Sequence, residues 1–207
     1  VRFRRAVVAT GTVPGPIEIA GADAAGPLRP HDLDRLHAPP RRLAVIGDDG
    51  DACFWAQQLR RLGSEVHLIG TAPRLLESVD PHAAEIVREQ LDGEGVRIHA
   101  GCEEIHLDRI GYRRGVIMRR GPLCEKVLVD EVLVCTTPGP NLAGLALETA
   151  AVSYRQRGII ADDWLRTSER HVYAAGGVCG PEFASPEAEQ GTGRLAAGIM
   201  GTLLVAS

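Results

Sequence analysis

The sequence predicts an α/β fold built around a parallel β-sheet. Short runs rich in β-branched residues alternate with segments that carry apolar residues at helical spacing, the order found in βαβ units. The run Leu43–Ile46 is continuously apolar, as expected for a strand buried on both faces of such a sheet. The turn Gly47–Gly50 then separates this strand from the first strongly periodic helical segment.

The middle of the chain contains three strands and two helices in alternation. In the first helix, Ala52–Leu62, the apolar residues Trp55, Ala56 and Leu59 share one face, and Gly63 follows in the position that ends a helix. This order predicts a mononucleotide-binding βαβαβ unit. The other elements of the unit are strands at Leu43–Ile46, Glu65–Ile69 and Val96–Ala100 and a helix at Pro81–Leu91.

The flanking segments have different patterns. Val13–Arg42 is rich in Pro, Gly and Asp, which predicts a linker with one short helix at His31–Leu36. From Glu103 to Val129 the apolar period shifts toward two, which predicts an antiparallel meander. The remaining predicted elements are strands at Ala6–Ala9, Glu131–Cys135, Gly158–Ala161 and His171–Ala175 and a final helix at Ser185–Met200.

Composition indicates a folded chain and excludes several classes of function. Of 207 residues, 44% are hydrophobic, and 23 basic residues against 27 acidic ones give a net charge of −4. No basic surface for nucleic acid or membrane is predicted. The longest apolar stretch, Leu195–Ala206, is shorter than the ~20 residues that span a bilayer, and no charged-then-apolar leader opens the chain, so a cytoplasmic protein is expected.

The cysteines do not form a recognisable framework. They are an odd number at wide spacings, without a C-x-x-C pair, which argues against a zinc site and against a set of disulfides. We expect each to be a small buried apolar residue. The five are Cys53, Cys102, Cys124, Cys135 and Cys179.

The turn after the first buried strand is the main candidate site. In the phosphate-binding pattern G-x-G-x-x-G, the first glycine falls on Gly47, the second on Asp49 and the third on Ala52. A carboxylate about 5 Å from a phosphate charge costs roughly 3 kcal/mol at an effective dielectric near 20. Three interpretations are open: the acids cap the helix themselves, a nucleotide binds with relaxed geometry, or Asp48, Asp49 and Asp51 hold a divalent metal.

The end of the next strand is the second candidate position for contact with a dinucleotide. NAD-binding units place an acid there for the ribose hydroxyls, and this sequence has Gly70. Thr71 and Arg74 follow. An arginine at this turn could pair with a 2′-phosphate, or it could be a solvated residue at the start of a helix.

Several segments together resemble one family, the FAD- and NAD(P)-dependent pyridine nucleotide-disulfide oxidoreductases. The resemblance covers nearly the whole chain in the family's order. The matching stretches are Val7–Gly11, Arg42–Gly47, Arg61–Val66, Ala72–Leu76, Leu165–Ser168, His171–Gly176 and Arg194–Ala197.

The resemblance implies a Rossmann-like NAD(P)-binding domain at residues 40–158, flanked by parts of an FAD-binding domain at 1–39 and 159–207. Such enzymes relay hydride from NAD(P)H to FAD, so both cofactors are implied. The family's remaining FAD unit would come from a missing segment or a partner chain, and a homo-oligomer is also expected. Carried over residue by residue, the NAD(P)H positions are Gly47, Asp49, Ala52, Gly70, Thr71, Arg74 and Thr137, and the flavin positions are Gly11 and Gly177.

The sequence departs from the family where cofactors would be touched. Phe54 stands where the family has an acid beside the nicotinamide, Thr137 stands in the motif that closes the NAD domain, and Gly177 replaces an FAD-holding aspartate. The C-x4-C pair of the family is not present in this sequence, and no catalytic residue is assigned. The alternative is therefore a degenerate, non-catalytic relative that acts as an interaction module, or a gene remnant.

Overall fold

The structure is a computed structural model that describes residues 3–180. The α-helices are α1 (Ala22–Ala25), α2 (Gly50–Arg61) and α3 (Pro81–Gly93), and short 3-10 helices occupy Pro30–Arg35 and Gly176–Cys179. The strands are β1 (Ala6–Val8), β2 (Thr12–Val13), β3 (Arg42–Ile46), β4 (Glu65–Ile69), β5 (Arg97–His99), β6 (Glu104–Ile110), β7 (Arg113–Arg120), β8 (Leu123–Val129), β9 (Glu131–Val134), β10 (Gly139–Pro140), β11 (Tyr154–Arg155), β12 (Gly158–Ile159) and β13 (Val172–Ala174).

Backbone contacts divide the chain into two compact units. The sheet unit comprises residues 16–136, and the flanking unit joins residues 1–15 to residues 137–207. These boundaries differ from the predicted domain limits at 40 and 158. Most of the predicted linker, from Pro16 onward, belongs to the sheet unit, because Leu28 bridges to Leu133, Ala20 bridges to His106 and α1, which the sequence did not predict, packs beside β6.

The sheet unit contains the predicted parallel sheet. Its strands lie in the order β5-β4-β3-β9, and every neighbouring pair is parallel. The predicted bounds of β4 are confirmed, β3 begins one residue earlier than predicted, and β5 is shorter than predicted at both ends. The α/β class and the parallel sheet are confirmed.

The two faces of the parallel sheet bury different partners, because side chains alternate along each strand. On one face, Leu43 and Val45 of β3 share a core with α2 and α3. On the other face, Ala44 and Ile46 share a core with the three-stranded antiparallel sheet β6-β7-β8. This second sheet is the predicted meander, so the unit has three layers with the parallel sheet in the middle.

The flanking unit is built from short strands. The strands predicted at Ala6–Ala9 and His171–Ala175 are confirmed as β1 and β13, which pair in parallel. In addition, β2 pairs with β10 and β11 pairs with β12. Leu147, Ile159 and Ala174 lie in its core. The predicted helix at Ser185–Met200 lies outside the described residues.

The cysteines follow the expectation with one exception. Cys53, Cys102, Cys135 and Cys179 are buried, but Cys124 is exposed because it lies on β8, at the edge of the antiparallel sheet. For Cys124 the prediction was wrong. Within residues 3–180, no three metal-ligating side chains converge, the acidic turn included, and no helix has the length and apolarity to cross a bilayer.

Candidate functional site

The candidate site lies at the carboxyl ends of β3 and β4, where open α/β sheets bind their ligands. A surface depression of about 320 Å³ is present there. Three of its lining residues are acidic, and the others are small, hydroxylic or aliphatic. The lining residues are Asp48, Asp49, Ala72, Leu76, Glu77 and Ser78.

Gly47 allows α2 to approach the sheet closely. Its φ of +147° lies in the region that favours glycine, and its amide donates to the carbonyl of Ile69 at 2.9 Å. A Cβ at this position would lie 2.9 Å from the Cβ of Ala52 and 3.1 Å from the carbonyl oxygen of Cys135. The first glycine of the pattern is therefore required by backbone packing, and the role predicted for the small residue Ala52 in that packing is confirmed.

Asp49 caps α2 with its own side chain. Its Oδ1 accepts the amide hydrogen of Ala52 at 2.9 Å, so the capping predicted from the sequence is confirmed. Burial raises the pKa of Asp49, and the charges of Asp51 and Asp48 add to the effect, although the bond from Ala52 opposes it. The carboxylate thus occupies one donor that an anion at this turn would use.

Asp48 connects the first turn to the end of β4, a contact that sequence reasoning missed. Its Oδ2 accepts the amide hydrogen of Ala72 at 2.8 Å and lies 3.5 Å from the hydroxyl oxygen of Thr71. A Cβ on Gly70 would lie 2.8 Å from the Cβ of Asp48. Any side chain at position 70 would therefore collide with the side chain of Asp48.

The guanidinium of Arg74 binds the loop that follows β4. It donates to the carbonyl oxygens of Leu76 at 3.0 Å, Glu77 at 2.7 Å and Val79 at 3.1 Å. Arg74 is partly exposed and lies in the loop before α3, which begins at Pro81, so the expectation that it starts a helix was wrong, while its pairing with a 2′-phosphate stays a prediction. The same loop holds Leu76 in a left-handed conformation, with φ of 54°.

Two thiols next to the turn are kept neutral by their surroundings. Burial raises the pKa of Cys53 to about 11 and that of Cys135 to about 12, and the carboxylate of Asp49 contributes to both shifts. A thiolate is the reactive form of cysteine, so neither residue has nucleophilic character at neutral pH.

The remaining predicted positions are distributed over both units. Phe54 lies on α2, half-exposed, with its ring edge-on to Trp55. Gly11, Thr137 and Gly177 lie in the flanking unit, where the carbonyl of Gly11 accepts the amide hydrogen of Asn141 at 3.0 Å and Gly177 is buried in a 3-10 helix. The sheet unit contains the other predicted cofactor positions, Gly47, Asp49, Ala52, Gly70, Thr71 and Arg74.

Known proteins with related sequences carry the same order of segments. The family profile described as pyridine nucleotide-disulphide oxidoreductase matches residues 1–193. Mercuric reductase from Staphylococcus aureus is 32% identical over 187 residues, which is 89% of this chain and 34% of that protein. Dihydrolipoyl dehydrogenase from Bacillus subtilis is 31% identical over 174 residues, 84% of this chain and 38% of that protein. The chain thus spans between a third and two-fifths of these relatives.

Solved structures agree with this assignment. LpdA from Mycobacterium tuberculosis superposes with a TM-score of 0.75 at 27% identity, covering 94% of this chain and 42% of that one. The HOCl-induced flavoprotein disulfide reductase RclA from Escherichia coli superposes with a TM-score of 0.71 at 22% identity, covering 84% of this chain and 40% of that one, and shows the fold alone. The chain belongs to the pyridine nucleotide-disulphide oxidoreductase family.

Proposed function

We propose that this chain supplies the pyridine-nucleotide part of a flavin-dependent oxidoreductase in which hydride passes from NAD(P)H to FAD. The observation that carries the proposal is the close turn at Gly47, which packs α2 against the ends of parallel strands within a chain of this family. The cofactors would supply the hydride chemistry, and the protein would supply binding and orientation.

The depression suits the ribose of a dinucleotide better than its pyrophosphate. Carboxylates accept hydrogen bonds from ribose hydroxyls, and Asp48, Asp49 and Glu77 line the depression. The same carboxylates repel a 2′-phosphate, and Arg74 donates to backbone carbonyls. These features favour NADH over NADPH.

Asp49 weakens the binding of the pyrophosphate. Its carboxylate accepts the Ala52 amide hydrogen and adds negative charge at the start of α2. A phosphate there would lose that donor and meet a repulsion of roughly 3 kcal/mol per charge pair. Dinucleotide binding by the chain is therefore expected to be weak.

Calorimetric titration of the purified 207-residue chain with NADH and NADPH tests the proposal. We expect a saturable heat with NADH and a weaker one with NADPH, because the carboxylates repel the 2′-phosphate. Flavin absorbance of the purified chain, before and after addition of FAD, tests the second cofactor. Circular dichroism verifies that the chain is folded. A folded chain that binds neither dinucleotide would contradict the proposal.

The second candidate function is that of a non-catalytic relative whose site is closed. The observation that favours it is the pair of acids: Asp49 uses a helix donor and Asp48 lies against Gly70. If charge at the turn is the barrier, Asp49→Gly should raise NADH affinity at least tenfold, which is about 1.4 kcal/mol. Asp80→Gly, which removes the cap of α3 at a residue that does not line the depression, is the matched control and should leave the affinity unchanged.

The chain's partners and location remain proposals. Because the chain spans about a third of Staphylococcus aureus mercuric reductase, we propose that a further segment or a partner chain supplies the rest of the FAD unit. Self-association of the chain and a cytoplasmic location are proposed with it. Light scattering of the purified chain measures its self-association.

A further inference from the structure

Two histidines face each other at the outer edge of the parallel sheet. His67 lies on β4 with 8% of its surface exposed, and His99 ends the neighbouring edge strand β5. The Nδ1 atom of His67 is 3.0 Å from the Nε2 atom of His99, and the rings stack with centroids 5.3 Å apart. One of these two nitrogens must carry the shared hydrogen and the other must accept it.

The groups at the two ends of the pair determine which nitrogen carries the hydrogen. Arg97 places Nη1 3.4 Å from Nε2 of His67, and because a guanidinium only donates, that nitrogen is the acceptor. Glu125 places Oε2 3.5 Å from Nδ1 of His99, and because a carboxylate only accepts, that nitrogen carries the hydrogen. Both rings are therefore neutral Nδ1–H tautomers, and His67 donates to His99.

The chain of contacts continues in both directions and joins two sheets. Arg97 pairs with Glu65 of β4 at 2.7 Å, and Glu125 of β8 pairs with Arg120 of β7 at 3.1 Å. The histidine pair thus connects the edge of the parallel sheet to the antiparallel sheet within the sheet unit.

We propose that the His67–His99 pair is a pH-sensitive latch between these two sheets. A proton added to Nε2 of His99 would face the Nδ1–H of His67 across 3.0 Å, and a proton added to Nε2 of His67 would face the guanidinium of Arg97. Protonation at either position turns an accepting nitrogen into a donor and so breaks one hydrogen bond of the chain. The latch is closed when both rings are neutral and opens when one is protonated.

The surroundings of both rings favour their neutral forms, as the hydrogen bonds do. Burial is the largest cause that lowers the pKa of both histidines, and Arg97 lowers both further. His99 lowers the pKa of His67 and Arg120 lowers that of His99, while Glu65 and Glu125 oppose these effects. The folded state therefore binds fewer protons here than the unfolded state below pH about 6.5, so acid opens the latch.

Opening the latch would release one border of the depression. The carbonyl of His99 accepts the amide hydrogen of Gly70 at 2.9 Å, and the amide of Cys102 donates to the carbonyl of Gly70 at 3.0 Å. The residue after next, Ala72, donates to Asp48. The loop after β4 is thus attached to the strand that the latch holds in place.

Nitrogen-detected NMR of the full chain tests the tautomers directly. With 15N-labelled histidine at pH 7.5, we expect both rings to show Nδ1–H and bare Nε2 signals. Between pH 7 and 5.5, the exchange of the Gly70 amide, corrected for intrinsic rate, should accelerate more than that of the Gly47 amide, which follows the inner strand β3. An Nε2–H tautomer on either ring would overturn the proposal, even if no variant folds.

The pH dependence of folding stability is the second test of the latch. Two additional protons bound by the unfolded state would weaken the folding equilibrium constant by up to about a hundredfold per pH unit. The double variant His67→Asn with His99→Gln keeps a donor and an acceptor at the facing positions but removes both titrating rings. We expect it to flatten the pH dependence between pH 6.5 and 5, whereas His82→Gln, at an exposed histidine of α3, should not. An unchanged slope in the double variant would contradict the proposal.

Discussion

The helices α2 and α3 begin with the same chemistry in different surroundings. Both follow a strand of the parallel sheet, and both are capped by an aspartate, Asp49 for α2 and Asp80 for α3. Asp80 is exposed and accepts two amide hydrogens, from His82 and Ala83, whereas Asp49 is partly buried and accepts one, from Ala52. The cap of α2 also lines the depression, and the cap of α3 does not.

The same residue type caps both helices, but only the cap of α2 is partly buried and lines the depression. Burial raises the pKa of Asp49, so its charged form is disfavoured in the folded chain. The difference comes from the close packing at Gly47, which places the start of α2 against the sheet. Four measurements test the difference between the two caps and its origin.

Gly47→Ala should produce the largest effect. The new Cβ would meet Ala52 at 2.9 Å and the carbonyl of Cys135 at 3.1 Å in a strained backbone conformation. We expect the free energy of unfolding to fall by about 3 kcal/mol in urea denaturation. Gly50→Ala is the control, since a Cβ there meets nothing within 4 Å and alanine favours the helix by about 0.5–1 kcal/mol. Equal losses in the two variants would show that packing at Gly47 is not decisive.

Asp80→Ala should lower the free energy of unfolding by about 1 kcal/mol, because two amide donors lose their acceptor. Asp49→Ala loses one such bond but also removes a partly buried charge, so its loss should be smaller, about 0.5 kcal/mol. Chemical denaturation of both variants measures the difference. A larger loss for Asp49→Ala would contradict the interpretation that burial disfavours its charge.

Asp49→Asn keeps a capping side chain and removes the charge. At pH 7 we expect it to raise the free energy of unfolding by less than about 1 kcal/mol, because the substitution removes a partly buried charge and keeps a capping oxygen. Asp80→Asn is the matched variant and should show no gain, because Asp80 is exposed. A gain of the same size in both would assign the effect to general surface charge.

The gain from Asp49→Asn should depend on pH in a defined direction. Because the folded pKa of Asp49 lies above the unfolded value of 3.8, its contribution to stability is present below pH 3.8 and lost as pH rises through the folded pKa. The difference between variant and wild type should therefore be small near pH 4 and reach its plateau at neutral pH. Thermal unfolding over that range tests the sign, and a difference that grows toward acid would refute it.

Local sequence patterns predicted most of the sheet unit. The continuous apolar run of β3, the helical face around Ala56 and the period of two in the antiparallel strands each follow from side-chain burial within one element. The start of α2 was predicted two residues late, because Asp49 is its cap and Gly50 already belongs to the helix. Local sequence was therefore sufficient to predict these elements to within a few residues.

Contacts between distant segments could not be predicted in the same way. The bond from Ala72 to Asp48, the carbonyl contacts of Arg74 and the His67–His99 pair depend on strand register and loop conformation, which no periodicity encodes. The assignment of Pro16 onward to the sheet unit depends on pairing between Leu28 and Leu133. The signal available in the sequence was the acidic turn itself, which showed that this site differs from the family pattern.

Gly70 and Asp48 each limit which side chains the other position can carry. The side chain of an acid introduced at position 70 would collide with the Asp48 side chain, so the effect of a substitution at either position depends on the residue at the other. An acid at position 70 therefore needs a smaller side chain than aspartate at position 48.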